Sequence, residues 1–193
     1  MEIYLIRHTT PDIEKGICYG QLDIDVAHTF ETELAQIKNK LPQNIFNLEV
    51  FSSPLLRCQK LAKKLNQNST FNEHLQEVNF GKWEGVAWNA IDKKELDIWM
   101  NDFVNVAPPN GESYITLSKR AQSVFLKICN SSTKNKIIVT HAGIIRSIMA
   151  QLIDKSLQDS FEIKIPYAHV IHIQFDNHQF TIKDGLIEEK YQN

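Results

Sequence analysis

Cysteine is scarce: Cys18, Cys58 and Cys129 are the three in 193 residues, and no two stand as CxxC. An odd, scattered set argues against a disulfide framework. No apolar stretch reaches the ~18 residues that a membrane span needs, so no membrane partner is expected. Positive charge is not in excess. The 21 Lys and Arg stand against 23 Asp and Glu, a formal net charge of -2, which leaves no basic footprint for general nucleic-acid binding. A local positive pocket is still compatible with that balance. GxGxxG and the Walker phosphate loop are absent, as are HExxH and a clustered carboxylate set. Neither a cofactor nor a metal is therefore expected. The opening MEIYLIRHTT meets Arg7 after a short apolar run with no basic stretch before it. That is too short for a secretory signal core, and the expected compartment is the cytoplasm.

The chain carries 42% hydrophobic and 23% charged residues, ordinary proportions for a folded protein and too apolar for a disordered one. Its length suits one domain, 1–193, with a sizeable core. Residues 2–6, 48–51 and 136–140 are short β-rich runs. Apolar residues recur at helical spacing after Thr29 (Phe30, Leu34, Ile37, Leu41), until Pro42 stops the pattern. Ser53 is expected to cap the next helix, with Pro54 at its first position and Arg57 in its first turn. Further helices are expected from Glu112 or Ser113 through Ile128, and directly after His141. Residues 8–27 read as a long loop, a length that is often functional. Residues 81–110 read as short helical pieces forming a small cap region. The runs 168–175 and 179–183 suggest a hairpin at one sheet edge, and the alternating Ile171, Ile173 and Phe175 suggest an edge or an interface. Oligomeric state is not legible.

Strands alternating with helices predict an α/β fold: a three-layer α/β/α sandwich with a mostly parallel central sheet. Ligands in such folds bind beyond the carboxyl ends of the strands. Arg7-His8, Arg57 and His141 follow three different strands and so point at one rim. A cation beside an apolar strand end calls for an anion or a partner. The functional reading of Arg7 and His8 is a phosphate pocket with a nucleophilic imidazole. The plainer one is a strand-end histidine beside a rim arginine. His141 precedes Ala142-Gly143 at a helix start, where free amide groups favour a phosphate oxygen, and a charged His141 would stabilise a transferring phosphoryl group. Arg57 sits poorly against its helix dipole unless an anion is bound. His169 and His172 suit structural or substrate-rim roles. Trp83, Trp88 and Trp99 are expected to pack the mixed helical stretch, with one of them free to wall a pocket.

The segments LIRHT (5–9), SSPLLRCQKLA (52–62), LQEVNFGKWEG (75–85), PNGES (109–113) and VTHAGIIR (139–146) together resemble the histidine phosphatase, or phosphoglycerate mutase-like, superfamily. The matches run in the family's order across residues 2–152. The resemblance implies that His8 is the nucleophile and becomes phosphohistidine. It implies that Arg7 and Arg57 hold phosphoryl oxygens, that His141 is the second pocket histidine, and that Glu77 protonates the leaving oxygen. With Ala142, Arg7, His8, Arg57 and His141 would form the phosphate site. It also implies an enzyme without a metal, acting on a small phosphorylated metabolite.

Where the family commonly has glycine after the arginine–histidine pair, this chain has Thr9. The RHT variant, with ICYG at 17–20 and GKWEG at 81–85, resembles the α-ribazole phosphatase subgroup, which acts on α-ribazole 5′-phosphate in cobalamin nucleotide-loop assembly. Thr9, Tyr19, Gly20, Trp83 and His169 are the candidates for contact with the substrate body. The alternatives are a broad small-molecule phosphatase, a mutase-like enzyme, and a phosphate-binding protein without activity. A mutase needs extra substrate-holding segments, and 85–111 leaves little room for them. A binding protein should have lost His8, Glu77 or an arginine, and all are present.

Overall fold

The computed structural model describes residues 1–44 and 48–188. Six strands form one sheet in the order β3-β2-β4-β1-β5-β6. They are β1 (Glu2–Arg7), β2 (Glu49–Ser52), β3 (Thr70–Phe71), β4 (Lys136–Thr140), β5 (Val170–Asp176) and β6 (Gln179–Asp184). The pairings β1–β4, β2–β4 and β2–β3 are parallel, and β1–β5 and β5–β6 are antiparallel.

Alternation along the strands decides which helix covers which face. On β1, Ile3 and Leu5 point into one core while Tyr4 and Ile6 point into another. On β4, Ile138 joins the first and Ile137 and Val139 the second. The first core is sealed by α4 (Tyr114–Cys129) and α5 (Ala142–Leu152), the second by α1 (Phe30–Asn39) and α2 (Leu56–Leu65). This is the expected three-layer α/β/α arrangement. All five residues of β4 are buried, because β4 has strands on both edges and helices on both faces.

A third, smaller cluster lies apart from the sheet. Cys18, Trp83 and Ile91 form its centre, with Phe80, Trp88, Leu96 and Trp99 around them. It is built from irregular turns and α3 (Lys93–Asn101), whose Asp92 caps the N–H groups of Lys94 and Glu95. Ring contacts and one antiparallel bridge, Ile17 with Ala87, hold it: Trp83 meets Trp99 at 5.8 Å and Trp88 stacks on Trp99 at 6.0 Å.

Two expectations are corrected. Helix α2 starts at Leu56, not Pro54, and Leu55 occupies its cap position in an extended conformation. The Ser53 hydroxyl accepts the Leu55 N–H at 3.3 Å, so Ser53-Pro54 makes a turn ahead of the helix. Ile171 and Ile173 form no edge: β5 lies between β1 and β6, and both side chains are fully buried. The edge strand on that side is β6, reached through a two-residue turn in which Asn177 and His178 both have positive φ, as a tight right-twisted hairpin requires. Among the described residues no helix is long and apolar enough to cross a membrane.

Candidate active site

The parallel strands β1, β2 and β4 end on the same rim, and each delivers a polar residue there. β1 ends in Arg7 and leads into His8, β2 leads through the Ser53-Pro54 turn to Arg57, and β4 leads into His141. A cavity of ≈ 320 Å³ opens at this rim, lined by Arg7, His8, Arg57, Glu77, Ala142 and Gly143 at its polar end.

His8 is almost wholly buried, and its Nδ1 lies 2.7 Å from the Thr9 carbonyl oxygen. A carbonyl cannot donate, so Nδ1 carries the proton and Nε2 keeps its lone pair. Arg57 Nε approaches that Nε2 at 3.4 Å. Burial first, then the Arg57 and Arg7 guanidinium groups, hold the His8 pKa well below the ordinary 6.5. The ring therefore stays neutral, the form a nucleophile needs.

Arg57 is fully buried. It donates to the carbonyls of Leu22 and Gly20 at 2.9 and 2.6 Å, and approaches His141 Nδ1 at 3.3 Å. Those carbonyls are held in turn by Glu84, whose carboxylate accepts the N–H groups of Gly20, Gln21, Leu22 and Phe80 at 2.9–3.0 Å. One carboxylate in the cap stretch thus fixes the loop that fixes the arginine. Arg7 donates through Nη1 to the Ile165 carbonyl at 2.5 Å and lies 3.9 Å beneath the Tyr167 ring. Its buried Nε has no acceptor among the described residues, a donor that an oxyanion would satisfy.

His141 lies behind this group, fully buried, with its ring 5.0 Å from His8 and Nε2 2.8 Å from the Ser53 hydroxyl. Burial and then Arg57 lower its pKa well below 6.5. The positive charge expected on His141 is therefore opposed by its surroundings. Since a guanidinium only donates, Nδ1 facing Arg57 holds a lone pair and Nε2–H points to Ser53.

Glu77 comes from the irregular segment after β3. Its Oε2 accepts the Gly143 N–H at 3.0 Å and its Oε1 the Val78 N–H at 3.1 Å. A Cβ at position 143 would stand 2.4 Å from Glu77 Oε1, which explains the glycine in HAG. Ala142 opens α5 and lines the cavity beside it.

The five residues proposed for substrate contact fare differently. Tyr19 lines the cavity, over Arg57 at 5.5 Å, and its hydroxyl meets that of Tyr167 at 2.5 Å across the mouth. Thr9 is fully buried, its hydroxyl has no partner among the described residues, and it does not line the cavity. Gly20 acts through its carbonyl on Arg57; a Cβ there would collide with the Val78 oxygen at 1.8 Å. Trp83 is buried inside the cap cluster with Nε1 toward Glu95 at 3.3 Å, and Trp88 and Trp99 take the wall instead. His169 turns away, with Nε2 2.6 Å from the Gly185 carbonyl.

Sequence reasoning missed Tyr167 and Arg146. Tyr167 sits in a loop without a motif. Arg146 is the last residue of VTHAGIIR; its Nε donates to the Ile163 carbonyl at 3.0 Å and its guanidinium stands 5.1 Å from the Phe161 ring, at the cavity wall. Phe80, Phe103, Tyr114 and Phe161 complete an aromatic outer chamber. Among the described residues no group of three His, Cys, Asp or Glu converges as a metal site.

A family model described as "Histidine phosphatase superfamily (branch 1)" matches residues 3–185. A protein of Hydrogenobacter thermophilus, provisionally named phosphoserine phosphatase 2, is 27% identical over 192 residues, covering 93% of this chain and 92% of its own. The adenosylcobalamin/α-ribazole phosphatase of Salmonella typhimurium is 23% identical over 162 residues, covering 79% and 80%. The crystal structure of the α-ribazole phosphatase of Shigella flexneri superposes with a TM-score of 0.86 at 21% identity, over 98% of this chain and 96% of that one, a likeness of fold.

Proposed function

The chain belongs to the histidine phosphatase superfamily and is a phosphatase, and from that premise we propose that it hydrolyses α-ribazole 5′-phosphate, or a closely similar nucleoside monoester, through a phosphohistidine on His8. In this reading His8 Nε2 attacks phosphorus while Arg7 and Arg57 hold the non-bridging oxygens. The P–O bond to the alcohol breaks as N–P forms, and Glu77 gives its proton to the departing alkoxide. The resulting Glu77 carboxylate takes a proton from water, the hydroxide attacks phosphorus, and inorganic phosphate leaves with His8 restored. Ala142 lies where a backbone N–H at a helix start favours a phosphoryl oxygen. His141 backs the pocket and orients Arg57. Residues 1–193 act as one domain with 81–110 as its cap, and the three unpaired cysteines suit a cytoplasmic reaction.

The observation that carries the substrate choice is the chamber above the phosphate end. Trp88, Trp99, Phe80 and Phe103 line it with aromatic side chains, an apolar surface suited to a flat body such as a benzimidazole. One observation favours a second reading. Arg146 at the wall could pair with a carboxylate, as a phosphoserine-like or phosphoglycerate-like substrate would require. The deciding experiment measures phosphate release, with EDTA present, from α-ribazole 5′-phosphate, phosphoserine, 3-phosphoglycerate, simple nucleotides and p-nitrophenyl phosphate. The expected result is a kcat/KM for the ribazole ester at least ~30-fold above the acids, the ~2 kcal/mol that stacking and burial of an aromatic body supply. Preference for the acids moves the assignment to the second reading, and equal turnover of all esters makes the enzyme a broad phosphatase.

The two buried histidines carry a pH signature. Their folded pKa lies below the 6.5 of the unfolded chain. The unfolded chain therefore takes up protons that the folded one refuses. Stability is complete above about pH 6.5 and declines as pH falls below it. In an NMR titration, the His8 and His141 ring signals should keep their neutral positions as pH passes downward through 6.5. Midpoints at or above 6.5 would overturn the account of a neutral nucleophile.

A further inference from the structure

We propose that Arg120, on α4 and outside the phosphate pocket, is the positioning residue for the proton donor of the reaction; the proposal rests on Glu77 being that donor. Glu77 lies on a stretch that no regular structure holds. β3 ends at Phe71, a single 3₁₀ turn covers Glu73–Leu75, and residues 76–80 run free of any ladder. The main chain there has one long-range main-chain bond, from the Glu112 N–H to the Asn79 carbonyl at 2.9 Å, and is otherwise fixed by side chains, chiefly one guanidinium. Arg120 Nη1 donates to the carbonyls of His74 and Gln76 at 2.9 and 2.7 Å. Its Nη2 donates to the Glu77 carbonyl at 3.0 Å and to Glu112 Oε1 at 2.5 Å, and its Nε to Glu112 Oε2 at 3.0 Å. These are five acceptors for the five N–H donors a guanidinium has, so the fork is saturated.

Glu112 sets the fork from the other side. Its Oε1 also accepts the Asn79 N–H at 3.0 Å, so the Arg120–Glu112 pair grips the segment both before and after Glu77. Both side chains are largely covered, at 15% and 14% exposure, so neither is a floppy surface ion pair. Thr140 Oγ1 adds a bond to the Leu75 carbonyl at 2.7 Å, and Gln21 Nε2 a second bond to the Glu77 carbonyl at 3.0 Å. The reason such tight fixing matters is visible at Gly143, where there is not even room for a methyl group beside the Glu77 carboxylate. A proton donor works only when held within about 0.5 Å of its productive place.

The test separates positioning from general structural support through the leaving group. A departing alkoxide needs a proton, whereas p-nitrophenolate leaves well without one. kcat/KM is the right measure, because it reports only steps up to formation of the phosphoenzyme. Glu77→Gln is expected to lower kcat/KM for an alkyl phosphate by about 10²–10⁴-fold and to leave p-nitrophenyl phosphate within a few-fold, since general acid catalysis is worth that much. Arg120→Met is expected to follow the same pattern at smaller size, ~10–10²-fold on the alkyl ester. Arg120→Lys keeps the charge beside Glu112 but cannot reach three carbonyls from a single ammonium, so it should show the same selective loss while protecting the fold. In the Arg120 variants, kcat/KM for p-nitrophenyl phosphate and the Tm report that the fold is intact. An equal loss on both esters in Arg120→Lys, or no loss on either, overturns the proposal. If Glu77→Gln itself shows no leaving-group dependence, it is the donor assignment that fails.

Discussion

His8→Ala is expected to reduce phosphate release by about 10⁴-fold or more with every ester, as loss of a covalent nucleophile does. The geometry makes the prediction specific to one nitrogen. Nδ1 is committed to the Thr9 carbonyl at 2.7 Å, which leaves Nε2 as the only lone pair of the ring and turns it toward Arg57. The phosphoryl group should therefore be trapped on Nε2. Rapid quench into alkali during turnover should show a phosphoenzyme that is stable to base and lost in acid, the behaviour of a P–N bond. His8→Ala should show none. It should nevertheless fold, because the His8 ring has one short bond, to the neighbouring Thr9 carbonyl, and one long contact, from Arg57 Nε at 3.4 Å, while Arg57 keeps its two carbonyl acceptors. A variant that keeps a tenth of the activity, or a phosphoenzyme that survives acid and not base, would end the phosphohistidine reading.

How much of this was legible beforehand follows from where each residue lies. His8, Arg57 and His141 were placed correctly relative to one another because each follows a short apolar run, and parallel strands deliver their carboxyl ends to one rim. The hairpin at the end of the chain was legible from its turn chemistry. The start of α2 was not, since Ser53-Pro54 is a good helix opening that lost to a tertiary demand: the Ser53 hydroxyl is needed beside His141. The choice among tryptophans failed for a related reason. Their local sequence does not distinguish a packing role from a wall position, and which of them face the cavity depends on how an irregular cluster folds back. Arg120 reads in sequence as an ordinary polar helix residue, because its three backbone acceptors lie 43–46 positions away. Tyr167 is the same case at longer range, meeting Tyr19 across 148 positions.

Inorganic phosphate is expected to raise the Tm by about 5–10 °C at 100 times its Kd, which corresponds to ~2.7 kcal/mol of linkage in a chain of this size. Arg57→Met should lose most of that shift and lower turnover by about 10³-fold. The reason is the state of Arg57. It is fully buried, yet its acceptors are two carbonyls and two imidazole nitrogens, none of which carries a compensating charge. A buried cation without a counter-charge is unfavourable, and an oxyanion supplied by the substrate relieves it. The binding energy of the phosphoryl group is thus set up in advance by the Glu84-held loop that keeps Arg57 in place. His8→Ala provides the contrast: it should abolish turnover while keeping most of the phosphate shift, since both guanidinium groups remain. Arg57→Met should lose both. Differential scanning fluorimetry across phosphate concentrations reads the two variants side by side. A full phosphate shift in Arg57→Met would mean that the oxyanion is held elsewhere and that Arg57 serves only to pack β2 against the loop.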